Sequence, residues 1–526
     1  MNRLERYTRA LPSPPNLKSS RSRCHISPPP PPPSADYTAR LSPELLAPIF
    51  SYFHPTELGT LALVCRRWRD IVHHTPILWS SLDVTATLWR PEFFRLVLGR
   101  TKTTVELDVV LATSQSSHNH DDFHAEARIV GGYLKALKPY MGRVRRLEMQ
   151  GAVSAGEILE ILGSRAPVLR HLALWPLLLD GDVTSIHLPA SILGASPGRL
   201  DSLTLGWAFD HQTAFSPAFH GLTKLSWYAD SLGSASLRAV LRDCPVLRKL
   251  VLRITHYSSD NLPPAMHHLE ELTIYQPVTR ELLQDISHES IPLVSIASSG
   301  SNDDILSEEP YASWTSLSHH KFDSLSLMIG DPGPLNPSLL HIRYRAPGGI
   351  DRRASLLHLL AMDVLRGKYT FDHSSVTKLD IQDGCWPTAL LAPNVKEVVL
   401  SLDWVPWLRV GPLPDSEAQR TMFGKDVPSF KIGTLPKLEK LSIRASFVEG
   451  ICIDLPASHL LACLDHRDRH PNLDLVLGEG VRLVGPDSVI RELQQMFTRV
   501  SPPSGLFSLA ETGSAIWWVD NWDKSN

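Results

Sequence analysis

Residues able to do chemistry are sparse in this chain, and the best placed of them is a serine. Gly194, Ala195, Ser196, Pro197 and Gly198 spell G-x-S-x-G, the tight turn that lifts a nucleophilic serine above the sheet of acyl-transfer hydrolases. That use needs a strand before the serine and a helix after it. Here the segment runs directly into Leu200, Leu203 and Leu205, a strand-like pattern, and Pro197 suits a plain turn. Ser196 therefore reads as part of a connection. His118, His120, Asp121 and His124 offer imidazole and carboxylate ligands for a metal ion. No second ligand cluster at a recognised spacing accompanies them, and the surrounding SQSSHNHDDFH reads as a polar surface loop. The pairs His73-His74 and His319-His320 lack placed partners. No G-x-x-x-x-G-K-S/T phosphate loop, no H-E-x-x-H and no C-x-x-C occurs. The expectation is a non-catalytic chain with no cofactor and no metal.

The elements around these residues must then serve binding. A chain of 526 residues suggests several units or one long repeat array. A net charge of −3 gives no electrostatic footprint for nucleic acid or for an anionic membrane. No apolar run approaches the ~18 residues a membrane-spanning helix needs. The Arg- and Ser-rich start lacks an apolar signal core, and its prolines oppose an amphipathic transit helix. The six cysteines (Cys24, Cys65, Cys244, Cys385, Cys452 and Cys463) are scattered, as expected of a reduced compartment, the cytosol or the nucleus. Residues 1–40 read as a disordered, proline-rich tail, with Pro28 to Pro33 favouring polyproline II.

The densest apolar stretch runs from Leu41 to Leu82. Ser42 can cap a helix that Pro43 and Glu44 begin, and Leu45, Leu46, Ile49, Phe50 and Phe53 recur at helical spacing. Pro48 inside that helix removes one backbone bond and is expected to kink it. His54-Pro55 breaks it. A second helix carries Leu58, Leu61, Ala62, Val64 and Cys65; a third carries Trp68, Ile71 and Val72, with Arg66, Arg67, Arg69 and Asp70 on its wet side. Three helices this short bury little surface alone and need support. The combination of L-x-P-E-L-L, then I-F, then L-x-x-L-A-L-V-C-R-R-W-R-D-I, then P-I-L-W resembles an F-box. Ser42 stands where that family often has a first proline. The resemblance implies docking to a Skp-type adaptor and, through it, to a cullin–RING ubiquitin ligase. It maps the adaptor-facing positions onto Leu41, Pro43, Leu45, Ile49, Phe50, Leu58, Leu61, Val64 and Trp68.

Beyond a linker or capping region at 83–130, a unit of apolar-x-x-apolar-x-apolar recurs. Its middle residues include Leu147, Leu172, Leu203, Leu225, Leu250 and Leu272, spaced by 25, 31, 22, 25 and 22. Further copies centre on Leu325, Leu379, Val398 and Leu441, with weaker ones at Val294 and Ile342. The spacing straddles the period of leucine-rich repeats, about 20–29 residues. Helical patterns intervene at Ser154 to Leu162, Ser231 to Leu241, Ser355 to Leu365 and Leu455 to Leu464, and Ile490 to Phe497 suggests a last helix. Polar insertions stand at Ser299 to His320 and Gly411 to Gly433.

The expected fold is α/β: a three-helix F-box at 41–82, then an irregular leucine-rich-repeat solenoid over 131–500. Its curved parallel sheet would carry outer helices, and a tail would follow at 501–526, where Trp517-Trp518 could fold back as a cap. It is similar to the divergent leucine-rich arrays that follow F-boxes in many fungal proteins. Residues between the core positions of each strand face outward. Trp175, Tyr228 and Tyr275 share one such slot, and Arg253 stands among them, the composition of a protein-binding hot spot. The function expected is substrate recognition for a Skp–cullin–F-box ligase. A scaffold that binds the adaptor without cullin is the alternative, and a hydrolase using Ser196 is the third reading.

Overall fold

The computed structural model describes residues 37–85, 89–101, 103–112, 120–178, 186–189, 191–195, 199–209, 216–260, 268–275, 280–297, 322–329, 339–346, 348–357, 374–382, 392–403, 435–446, 453–463, 472–478 and 481–501. Pro28 to Pro33, His118, Ser196, both polar insertions and Trp517-Trp518 lie outside them. The fold is mixed α/β, with helices at the N-terminal end followed by a long, mostly parallel sheet.

Helix α1 (Pro43–Phe50) begins at a proline, whose fixed φ is preorganised for a first turn and whose missing N–H has no intrahelical partner there anyway. Ser42 holds the N-cap position but makes no capping bond. The backbone at Glu44 and then the Ser42 side chain hold the Glu44 carboxyl below its usual range. The helix runs through Pro48 and stops within a turn of it; Ser51 Oγ donates to the Pro48 carbonyl at 2.7 Å. His54 then caps α2 (Pro55–Val64) reciprocally, its backbone N–H donating to Glu57 Oε2 at 2.8 Å and its ring Nδ1 accepting from the Thr56 N–H at 3.4 Å. Cys65 is extended and separates α2 from α3 (Arg66–His74).

The support these short helices need comes from the chain on both sides of them. Residues 37–40, read from sequence as the end of the disordered tail, form a 3-10 turn against α3. Arg67, expected on the wet side, donates to the Thr38 and Leu41 carbonyls, and Trp68 Nε1 donates to Thr38 Oγ1 at 3.3 Å. His54 Nε2 lies 2.8 Å from the Asp83 carbonyl, and its ring meets Trp89 edge-on at 5.5 Å. Trp79 is fully buried, donates to the Val72 carbonyl at 2.8 Å and lies under the Arg100 guanidinium at 4.6 Å. One apolar core runs from Leu46 and Phe50 into the sheet.

Strands β1 (Ser81–Thr85), β2 (Leu107–Ala112), β3 (Val144–Val153), β4 (His171–Leu178), β5 (Ser202–Leu205), β6 (Lys224–Gly233), β7 (Lys249–Ser258), β8 (Glu271–Tyr275) and β9 (Leu293–Ala297) pair in chain order, all parallel. Strands β10 (Ser324–Ile329), β11 (Leu339–Arg345) and β12 (Asp351–Leu357) invert that order. β9 pairs parallel with β12, β12 antiparallel with β11, β11 antiparallel with β10, and β10 parallel with β13 (Lys378–Gln382). The parallel series resumes through β14 (Glu397–Asp403), β15 (Lys440–Ser446), then β17 (Asp474–Leu477) and β19 (Arg499–Ser501). β16 (Ile453–Pro456) and β18 (Val481–Val484) form a separate parallel pair. Helices include α4 (Pro91–Arg100), α5 (His120–Leu137), α6 (Ala155–Leu162), α7 (Ser234–Asp243), α8 (Arg280–Asp285), α9 (Ala457–Cys463) and α10 (Asp487–Met496).

The recurring apolar unit explains the register. Leu147 pairs with Leu172, then Leu203, Leu225, Leu250, Leu272 and Val294; later Leu379 pairs with Val398, Leu441 and Leu475. All are buried. A one-residue slip would expose every one of them, so the register is strongly specified.

Three expectations are corrected. The sheet is not wholly parallel, because β11 runs against both neighbours. Ser355 to Leu357, assigned to a helix, end strand β12; a short apolar run does not distinguish the two. His120 opens helix α5, so the His- and Asp-rich stretch is not all loop. The inverted strands are pinned by Arg352, fully buried, which donates to the carbonyls of Ile291, Pro292, Asp351, His288 and Glu289 at 2.8–3.3 Å. Burial pulls its pKa down to about 10.

Candidate functional site

Two surfaces emerge. On the first, α1 and α2 leave apolar side chains in solvent: Leu45 is 57% exposed, Ile49 45% and Val64 60%, with Tyr52 and Leu63 exposed as well. Leu45 and Ile49 stand one turn apart on one helix face. Pro43 is exposed, while Leu41, Leu61 and Trp68 are half-buried. Phe50 and Leu58, mapped by resemblance to the adaptor-facing side, lie in the core, 2% and 0% exposed. Phe50 meets the Trp68 ring at 4.9 Å, so Trp68 is tied inward on one side. Helical spacing alone did not separate these roles, because both faces of α1 are apolar.

The second surface is the outward face of the sheet between the buried rows. Most of its cations are paired with carboxylates across strands or within one. Arg146 meets Glu148 at 2.6 Å and Lys249 meets Glu271 at 2.7 Å. Glu397 lies between Lys378 at 3.4 Å and Lys440 at 2.9 Å. Arg444 donates to Asp380 at 3.0 Å and to Ser401 Oγ at 2.9 Å. Burial raises the Asp380 carboxyl above its usual range against the opposing pull of Arg444 and Lys378.

Trp175, Tyr228, Arg253 and Tyr275, singled out from the sequence, come together on adjoining strands. Tyr228 pairs with Arg253 and Arg253 with Tyr275 in strand register. The rings of Trp175 and Tyr228 meet edge-on at 4.3 Å, although β5 lies between their strands. Gly206 makes this possible: it follows β5, its N–H donates to the Leu174 carbonyl at 2.7 Å, and a Cβ there would lie 3.1 Å from Trp175 Cα. Trp207, which the sequence reading missed, completes the group. It lies 6.1 Å from Tyr228, and the Arg253 guanidinium lies 5.4 Å above its ring. Burial, and next the Tyr275 phenol, raise the Tyr228 hydroxyl pKa, while Arg253 opposes them. The three polar heads therefore share one neighbourhood. Trp207 lies past a strand end, where the outward slot of the repeat gives no signal.

Of the possible metal ligands, His124 lies half-buried on α5, and among the described residues no group of three or more His, Cys, Asp or Glu is arranged to hold a metal ion. The residues leading to Ser196 form a 3-10 turn with Leu193 and Gly194 left-handed, and β5 follows. No described helix is long and apolar enough to cross a membrane.

An F-box-like family model matches residues 40–85, the span of α1 to α3, the Pro76–Trp79 turn and β1. No curated protein gives a significant match to the chain. The F-box-like domain suggests a ubiquitin ligase adaptor role, and F-box domains generally bind Skp-type adaptors.

Proposed function

We propose that this chain is the substrate-recognition subunit of a Skp–cullin–F-box ubiquitin ligase, working in the cytosol or nucleus without catalytic chemistry of its own. The observation that carries the proposal is the set of exposed apolar side chains, Leu45, Ile49 and Val64, on helices within the F-box-like match. Apolar residues held in solvent on a folded helix mark a partner site. The apolar units aligned strand after strand support reading 131–500 as an irregular leucine-rich-repeat array. Its outward face, at Trp175, Tyr228, Arg253 and Tyr275, would take the substrate. Holding a substrate beside a charged conjugating enzyme raises the effective concentration of its lysines, and that is the whole contribution required of this subunit.

The test is affinity capture with the wild type beside Leu45→Asp/Ile49→Asp. Both residues are exposed, so the variant keeps its circular dichroism. Loss of both adaptor and cullin from the variant, with both held by the wild type, is the expected result. Adaptor without cullin in the wild type would favour the non-degradative scaffold. Labelling of Ser196 by a serine-reactive probe would contradict a non-catalytic role.

A further inference from the structure

We propose that the row formed by Trp175, Gly206 with Trp207, Tyr228, Arg253 and Tyr275 recognises an extended protein segment in which a side-chain carboxylate stands beside aromatic residues. This deepens the reading of the sheet face as the substrate surface and rests on it.

The first argument is charge. Arg146, Lys249, Lys378, Lys440 and Arg444 on the same face all have a carboxylate within ion-pair distance. Arg253 is half-buried and stacked on Trp207, and among the described residues no carboxylate pairs with it. Its guanidinium is close enough to the Tyr228 phenol to oppose the rise in that hydroxyl's pKa, and Tyr275 acts on the same phenol. A guanidinium fork matches a carboxylate with two parallel hydrogen bonds. One cation suits a singly charged carboxylate better than phosphate, which carries about −1.5 to −2 charges. The same cation opposes lysine or methyl-lysine, despite the aromatic rings.

The second argument is shape. Adjacent strands lie about 4.8 Å apart, so the row from β4 to β8 spans roughly 19 Å, about six residues of extended chain. Gly206 removes the side chain that would divide the row, and the Trp175–Tyr228 contact closes across it. The rings give flat apolar walls on which a partner's aromatic side chains can lie edge or face on, at low cost in side-chain entropy.

The experiment uses the full chain and fluorescein-labelled short peptides alternating phenylalanine with glutamate, and the same peptides with glutamine, lysine or phosphoserine in the glutamate positions. Anisotropy titrations with the wild type should show the glutamate peptide binding about tenfold tighter than the glutamine one, the scale of a lost charged hydrogen bond. Arg253→Met should erase that preference, Arg253→Glu should turn it toward the lysine peptide, and Trp207→Ala should weaken glutamate and glutamine peptides alike. Equal binding of the glutamate and glutamine peptides, binding of neither, tightest binding of the phosphoserine or lysine peptide, or indifference to Arg253→Met would overturn the proposal. Melting curves establish that each variant is folded. Adaptor capture by the same samples keeps the two readings apart. A chain that captures adaptor and cullin yet ignores the peptides overturns this inference alone. A chain that binds the glutamate peptide yet captures no adaptor overturns the ligase reading alone.

Discussion

The two parallel runs of the sheet use the same outward slot in opposite ways. In the first run the slot holds Trp175, Tyr228, Arg253 and Tyr275, and the guanidinium rests on an aromatic ring. In the second it holds Ser401 and Arg444, and the guanidinium is engaged by Ser401 and by Asp380 from a neighbouring row. Each run even has a glycine beside the slot: a Cβ on Gly206 would press on Trp175, and one on Gly478 would lie 3.0 Å from Arg444 Cβ. One architecture therefore carries a closed electrostatic network at one end and an open cation among rings at the other. Arg444 ties neighbouring strands together, whereas Arg253, among the described residues, rests on a ring with no carboxylate beside it.

The largest effect should come from the junction of the two runs. Arg352→Leu removes a buried donor from five carbonyls, of which Pro292 and His288 keep a backbone N–H from Asp351 and Ile291, and urea unfolding should register a loss of about 3 kcal/mol. A loss confined to the second run, with the first still protected from hydrogen exchange, would show that the runs fold as separable units. Next comes the direct exchange of the two arginines. Arg444→Met strands the Asp380 carboxylate, only 15% exposed, and should cost about 1–3 kcal/mol. Arg253→Met removes no ion pair among the described residues and should stay within about 0.5 kcal/mol. Equal costs would erase the distinction between the runs.

Gly206→Val should cost about 1–3 kcal/mol by overpacking against Trp175, and tryptophan fluorescence should change with it. The smallest effect is a pH dependence. The folded Asp380 carboxyl titrates above its unfolded value because burial disfavours its charge. Its contribution to stability is therefore fully present below the unfolded pKa and is lost as pH rises through the folded one. Wild type should gain on Asp380→Asn as pH falls from neutrality toward the ordinary aspartate range, as read from paired melts.

Much of this was legible in the sequence, for definite reasons. The apolar units predicted the strands because a buried row on a parallel sheet repeats the same residues at the same slots, as Leu172, Leu203, Leu225 and Leu250 do. Alternation along a strand also gave the outward residues, so Trp175, Tyr228, Arg253 and Tyr275 could be grouped before their contacts were known. The inversion at β10 to β12 was not legible. Strand direction depends on which neighbour wins a pairing, and Arg352 reaches carbonyls some sixty residues away in the chain. Nor did the pattern separate Phe50 from Ile49. Both are apolar and adjacent, and only the packing of Trp68 and the core beneath decides that Phe50 goes in and Ile49 stays out.

The most direct measurement of the central claim captures partners with three full-length chains: the wild type, Leu45→Asp/Ile49→Asp and Arg253→Glu/Tyr228→Ala. If the helices dock the ligase and the sheet face holds the substrate, the helix variant keeps substrate proteins and loses adaptor and cullin, and the face variant does the reverse. Adaptor retained by the helix variant, or substrate proteins retained by the face variant, would contradict the account.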